Sequence, residues 1–305
     1  MLVSYLTIAT ALLTIAGAVP VITPTQFLPH WVLTFTTKFS SKLHKRTALV
    51  LIDIQNDFIN GSLGSPRAPV ILPKVYQLLD NHEWPFIIAS QDWHPEDHVS
   101  FASAHPGAEA GDSVELPFLD TTTKTEAQSL YADHCVPGTW GAEIEDGVKT
   151  RLQYLEGYRT TVNYIKKAQN HSVDSYSAFA DNQYHQFTTL NSELTLHGIE
   201  TMIVTGLITN ACVRGTSIDG IKLGYEVILI EDATETISAA IKAAALAELE
   251  GWGKLSSQKS LTSWKLTQVR SSGVKAYRLG SCSEPCWAEE TSKQRTMTCR
   301  EVRHR

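Results

Sequence analysis

From about residue 47 to residue 250 the chain repeats one pattern: a short apolar run, then a longer stretch with apolar positions at helical spacing. The apolar runs are ALVLID (48–53), FIIAS (86–90), TTVNYI (160–165), TMIVTG (201–206) and EVILIED (226–232). Runs that do not alternate suit strands covered on both faces. Helical spacing marks ILPKVYQLLDNH (71–82), QYHQFTTLNSELTLHG (183–198), CVRGTSIDGIKLG (212–224) and ISAAIKAAALAELEG (237–251). Two of these end in Gly198 and Gly224 just before the next run, where glycine can take the left-handed position that stops a helix. Strand–helix alternation of this kind predicts an α/β fold, with a central, mostly parallel sheet between two helical layers in a Rossmann-like three-layer sandwich.

The two ends of the 305-residue chain break the pattern. Residues 1–37 hold no Lys, Arg, Asp or Glu, and YLTIATALLTIAGAVPVI is apolar with small residues at Ala16 and Ala18. A secretory segment, a membrane anchor making contact through residues 1–25, and a wrongly assigned start all fit the 1–46 extension. The body, 47–250, reads as cytosolic: its two cysteines, Cys135 and Cys212, are too few for a disulfide framework. The segment 251–305 is polar and basic and is expected to lack order. A net charge of −6 gives no basic face for a nucleic-acid partner. Self-association into a homo-oligomer stays open.

In a parallel α/β sheet the ligand site lies beyond the carboxyl ends of the strands. Those ends carry chemistry. The first run stops at Asp53, a carboxylate that needs a partner if buried. The second runs into QDWHPEDHVSF, with Asp92 and His94 two apart and His98 beyond a proline turn. Carboxylate and imidazole together suit zinc, iron or manganese, and at this level His98 is as good a third ligand as any. A polar loop with capping histidines is the alternative. The third run ends in Lys166 and Lys167, which strand alternation points to opposite faces. The fourth ends in GLITNACV, placing Cys212 at a helix start, where amides and the dipole lower a thiol pKa. Cys135, before a Pro-Gly turn, has nothing local to activate it and reads as packing.

The stretches LVLIDIQNDFINGSL (49–63), QDWHPEDHVSF (91–101), HCVPGTWGAE (134–143), KKAQNHSVDSYSAF (166–179) and GLITNACVRGT (206–216) together resemble the nicotinamidases of the isochorismatase-like hydrolase superfamily, of the fungal type. The resemblance implies an isochorismatase-like fold and hydrolysis of nicotinamide to nicotinate and ammonia, a step of NAD salvage in the cytoplasm. It implies a catalytic triad of Asp53, Lys167 and Cys212, an oxyanion hole from the amides of Ile208 and Cys212, and substrate walls at Phe58 and Tyr176. Lys167, not Lys166, stands nine residues before Tyr176, the family's spacing. The implied metal, most simply zinc with iron or manganese as alternatives, is held by Asp92, His94 and His134, and His98 is retained without being a ligand. A cis peptide is implied at Leu207–Ile208. Asn210 and Ala211 depart from the acidic and aromatic residues common before the cysteine. The segment 102–133 is longer than in compact members and reads as a surface insertion. A metal-free thiol amidase and a non-catalytic anchored binding protein are the rival functions.

Overall fold

A computed structural model of the chain describes residues 46–252, apart from 82, 122 and 159, together with the backbone of 274–277. The N-terminal extension and most of the C-terminal tail lie outside the described residues. All five expected runs are strands: β1 (Thr47–Ile52), β2 (Phe86–Asp92), β5 (Thr161–Lys167), β6 (Thr201–Leu207) and β7 (Glu226–Glu235). With β8 (Val274–Tyr277) they form one sheet of order β5-β2-β1-β6-β7-β8. Every pairing between neighbours in it is parallel. β8 falls within the stretch read as a polar tail.

The alternation hidden in the apolar runs sorts side chains between two cores. Leu49 and Leu51 of β1 pack with Ile87, Ile203 and Ile228 beneath α2 (Leu72–Asn81) and α3 (Asp146–Glu156). Ala48, Val50 and Ile52 pack with Ile88, Met202 and Leu229 on the other face, against α4 (Leu190–Leu196), α5 (Arg214–Lys222) and α6 (Ala239–Gly251). Each fully buried aliphatic side chain contributes about 1.5–3 kcal/mol. This is the expected three-layer sandwich. Gly198 and Gly224 take positive φ, +63° and +95°, just past α4 and α5, as read from the sequence.

Three elements differ from expectation. Helix α3, with only Val148 and Leu152 fully buried in a polar sequence, shows too little apolar stripe to be read; Glu145 caps it, accepting from Val148 N at 2.9 Å. α4 spans only the second half of its stretch, because Asp181 draws the amides of Gln183, His185 and Gln186 into turns instead. The insertion 102–133 contains an antiparallel hairpin, β3 (Ser113–Pro117) and β4 (Thr125–Ser129). A short helix, α1 (Asn56–Ile59), follows β1. Among the described residues no helix is long and apolar enough to cross a membrane.

Candidate active site

Lys167 is the centre of the carboxyl edge. Its side chain is fully buried, whereas that of Lys166 is exposed and lays its ammonium 3.5 Å from the centroid of Trp93. The alternation expected of the lysine pair holds. Lys167 Nζ pairs with Asp53 Oδ2 at 3.1 Å and with Asp92 Oδ1, donates to Ser175 O at 2.7 Å, and reaches Cys212 Sγ at 3.5 Å. The carboxylates of Asp53 and Asp92 and the sulfur of Cys212 each offer an atom within 4.8 Å of the others. Three strand ends and the turn after a fourth strand thus meet at one ammonium.

The charges sort themselves in a defined way. Burial disfavours the cation of Lys167, but Asp53 and Asp92 outweigh it and hold its pKa well above the ordinary lysine value. Burial likewise opposes ionisation of Asp92, yet Lys167 and His94 hold that carboxyl well below the usual range. Asp53 goes the other way: burial raises its pKa more than Lys167 and the bond from Ser90 lower it. Two carboxyls beside one lysine are therefore pushed apart, one firmly ionised and the other ready to take a proton. Ser90 Oγ donates to Asp53 Oδ1 at 2.6 Å, and Asp53 N donates to Ser90 Oγ at 3.2 Å.

Cys212 departs from its local expectation. A five-residue π-turn, Thr209–Val213, precedes α5 and holds the cysteine, which is only 4% exposed. Burial pushes the thiol pKa well up, with Lys167 opposing and Asp53 and Asp92 reinforcing the shift. The resting group is a thiol, not a thiolate, and needs a base. Ile208 enters the turn in the left-handed region, φ +52°. No cis peptide bond occurs among the described residues, so the one expected at Leu207–Ile208 is absent and the positive φ of Ile208 makes the bend.

The second cluster adjoins the first through Asp92. Asp92, His94 and His134 each offer a ligand atom within 4.8 Å of the others, and all three are buried. Asp92 Oδ2 lies 3.7 Å from His94 Nε2. His134 gives its Nδ1 proton to Ala132 O at 2.8 Å, leaving Nε2 as a lone pair. Burial, then His94, lower the His134 pKa to about 4, so the ring is neutral near pH 7. One carboxylate oxygen and two imidazole nitrogens fit a divalent cation. His98 is placed differently: it packs against His94, ring centroids 4.3 Å apart, and offers a ligand atom only in a second group that shares His94 and adds Asp174.

Phe58 lies edge-on to His134, with centroids 5.6 Å apart. Tyr176 meets Tyr131 hydroxyl to hydroxyl at 3.2 Å, and the Tyr131 ring stands 5.9 Å from that of His134. Tyr131, Ser90 and Ser175 were missed from the sequence. Ser90 was within reach, since it stands two before Asp92 and shares its face of β2. Tyr131 sits three residues before His134 in a loop, where no periodicity marks it.

The isochorismatase domain profile matches residues 47–260. A nicotinamidase of Escherichia coli (strain K12) is 35% identical over 224 residues, covering 72% of this chain and 98% of its own. The crystal structure of the yeast nicotinamidase bound to the inhibitor nicotinaldehyde superposes with a TM-score of 0.61 at 27% identity, over 67% of this chain and 96% of that one. The pyrazinamidase of Pyrococcus horikoshii in complex with zinc gives 0.51 at 25% identity, over 77% and 99%. The chain belongs to the isochorismatase domain family.

Proposed function

We propose that this chain is a nicotinamidase, hydrolysing the carboxamide of nicotinamide to nicotinate and ammonia in NAD salvage. The observation that carries the reading is the convergence of Asp53, Lys167 and Cys212: a base of raised pKa, a buried ammonium and a protonated thiol at one point. Asp53 takes the proton from Cys212 as sulfur attacks the carboxamide carbon. Lys167 keeps Asp53 and Asp92 in one buried array and faces the charge that moves between Asp53 and Cys212. The amides of Ile208 and Cys212 receive the oxyanion. Asp53 returns the proton to the leaving nitrogen, ammonia departs, and the same carboxylate activates the water that opens the thioester. Asp92, His94 and His134 would hold the metal, which we assign as zinc, with iron or manganese as alternatives. Bound there, it supplies a Lewis acid for the pyridine nitrogen and so orients the ring. Phe58, Tyr176 and Tyr131 then wall the ring, and the close approach of Phe58 and Tyr131 to His134 supports that placement.

The test is ammonia release from nicotinamide by the full chain. Cys212→Ala should reduce it by at least about 10³-fold, and full activity in that variant ends the thiol mechanism. Metal content should fall in His134→Ala. Undiminished metal there, with loss in His98→Ala, overturns the ligand set.

A further inference from the structure

His98, which the ligand set leaves out, is fully buried beside His94, which it includes. The two rings approach through like atoms, with their Nδ1 nitrogens 3.2 Å apart. Two such nitrogens can bond only if one carries the proton and the other the lone pair. A third group decides between them. The backbone N–H of Ser100 donates to His98 Nδ1 at 3.2 Å, and an amide N–H can only donate. His98 Nδ1 is therefore an acceptor, with Ser100 Oγ a further 2.8 Å contact on the same nitrogen. His94 must then carry a proton on Nδ1, so that in the neutral ring the lone pair is on Nε2, on the side of Asp92.

We propose that His98 is a positioning residue that fixes His94 in its metal-binding tautomer and orientation. The inference rests on the reading of Asp92, His94 and His134 as ligands. A metal-bound histidine almost always gives its other ring N–H to a carboxylate, a carbonyl or water. His134 does so through Ala132 O. For His94 that place is taken by a neutral imidazole nitrogen, held as an acceptor by the amide of Ser100. The short spacing from His94 to His98 to Ser100 in DWHPEDHVSF is what lets one tight turn carry both the ligand and its orienting group.

The experiment uses the full chain, stripped of metal and titrated with Zn(II) against a chromophoric chelator, and with Co(II) for its visible spectrum. His98→Ala should weaken Zn(II) binding about 10- to 100-fold, while the Co(II) bands keep the parent's position and intensity because the ligands are unchanged. His98→Gln, whose side-chain oxygen can accept from His94 Nδ1, should recover most of the affinity. Unaltered affinity in His98→Ala, failure of His98→Gln to recover it, or Co(II) bands shifted as on loss of a nitrogen ligand overturns the proposal. One measurement needs no variant: long-range ¹H–¹⁵N spectra of the metal-free parent should show His94 protonated at Nδ1, and protonation at Nε2 overturns it. His134→Ala separates the two readings. If that variant binds Zn(II) as tightly as the parent, the ligand set has failed. If it loses binding while His98→Ala does not, only the role of His98 is rejected.

Discussion

Asp57 Oδ2 accepts the backbone N–H of Cys135 at 2.7 Å, so a carboxylate of α1, just after β1, holds the residue next to His134. Its other oxygen accepts from Ser62 N at 3.1 Å. Gly141 closes on the same carboxylate so tightly that a Cβ there would collide with it. Cys135 itself is buried at φ +51° and serves as packing, as its local sequence suggests. Asp57→Ala should leave that amide without its charged acceptor and cost about 1–3 kcal/mol in urea unfolding. Metal content should fall with it, because His134 rides on the same loop. Gly141→Ala should act in the same direction. Unchanged stability and metal content in both variants would show that the loop is held by other means.

Lys167→Met should be far more damaging than Lys166→Met. Removing the buried ammonium leaves Asp53 and Asp92 side by side without a cation, at a cost of about 3–5 kcal/mol. Lys166→Met loses an exposed cation–π contact worth about 0.5–1 kcal/mol. Paired denaturant titrations and initial rates check this. Equal effects would show that the buried lysine does not organise the site.

Activity should fall in acid as Asp53 takes up a proton. Its pKa lies above 3.8, so the acid limb of kcat/KM should sit above the ordinary carboxylate value. The bond from Ser90 favours the ionised form. Ser90→Ala should therefore move the limb to still higher pH, with most of the loss at low pH. A limb that moves down, or does not move, removes Asp53 from the role of base.

Tyr131→Ala should raise KM about tenfold or more, the loss of roughly 1.4 kcal/mol of ring contact, with a smaller change in kcat. Tyr131→Phe, which loses only the hydroxyl meeting Tyr176, should lie close to the parent. A kcat effect in Tyr131→Ala with KM unchanged would place Tyr131 outside the pocket wall.

The sheet was legible because its strands are buried on both faces and so declare themselves as apolar runs. Helix α3 was not, since Val148 and Leu152 alone carry its burial among polar neighbours. Asp53, Asp92, Lys167 and Cys212 were legible as strand-end chemistry, because a parallel sheet brings its carboxyl ends together. His134 was legible only through family resemblance: no local spacing ties it to Asp92, and the hairpin of the insertion lies between them. A helix start suggests a lowered thiol pKa for Cys212, whereas burial raises it. Position along a helix says nothing of burial, and burial decides that pKa.

Lys167 draws together partners from Asp53 to Cys212, and this fixes an order of assembly during synthesis. Asp53, Lys167 and all three candidate ligands precede Cys212, the proposed nucleophile, in the chain. The turn bearing Cys212 follows β6, which occupies the middle of the sheet beside β1. A nascent chain ending before β6 holds every charged group of the centre and no reactive sulfur. The thiol joins them only when β6 docks beside β1, so the strand that extends the sheet toward β7 also brings in the sulfur.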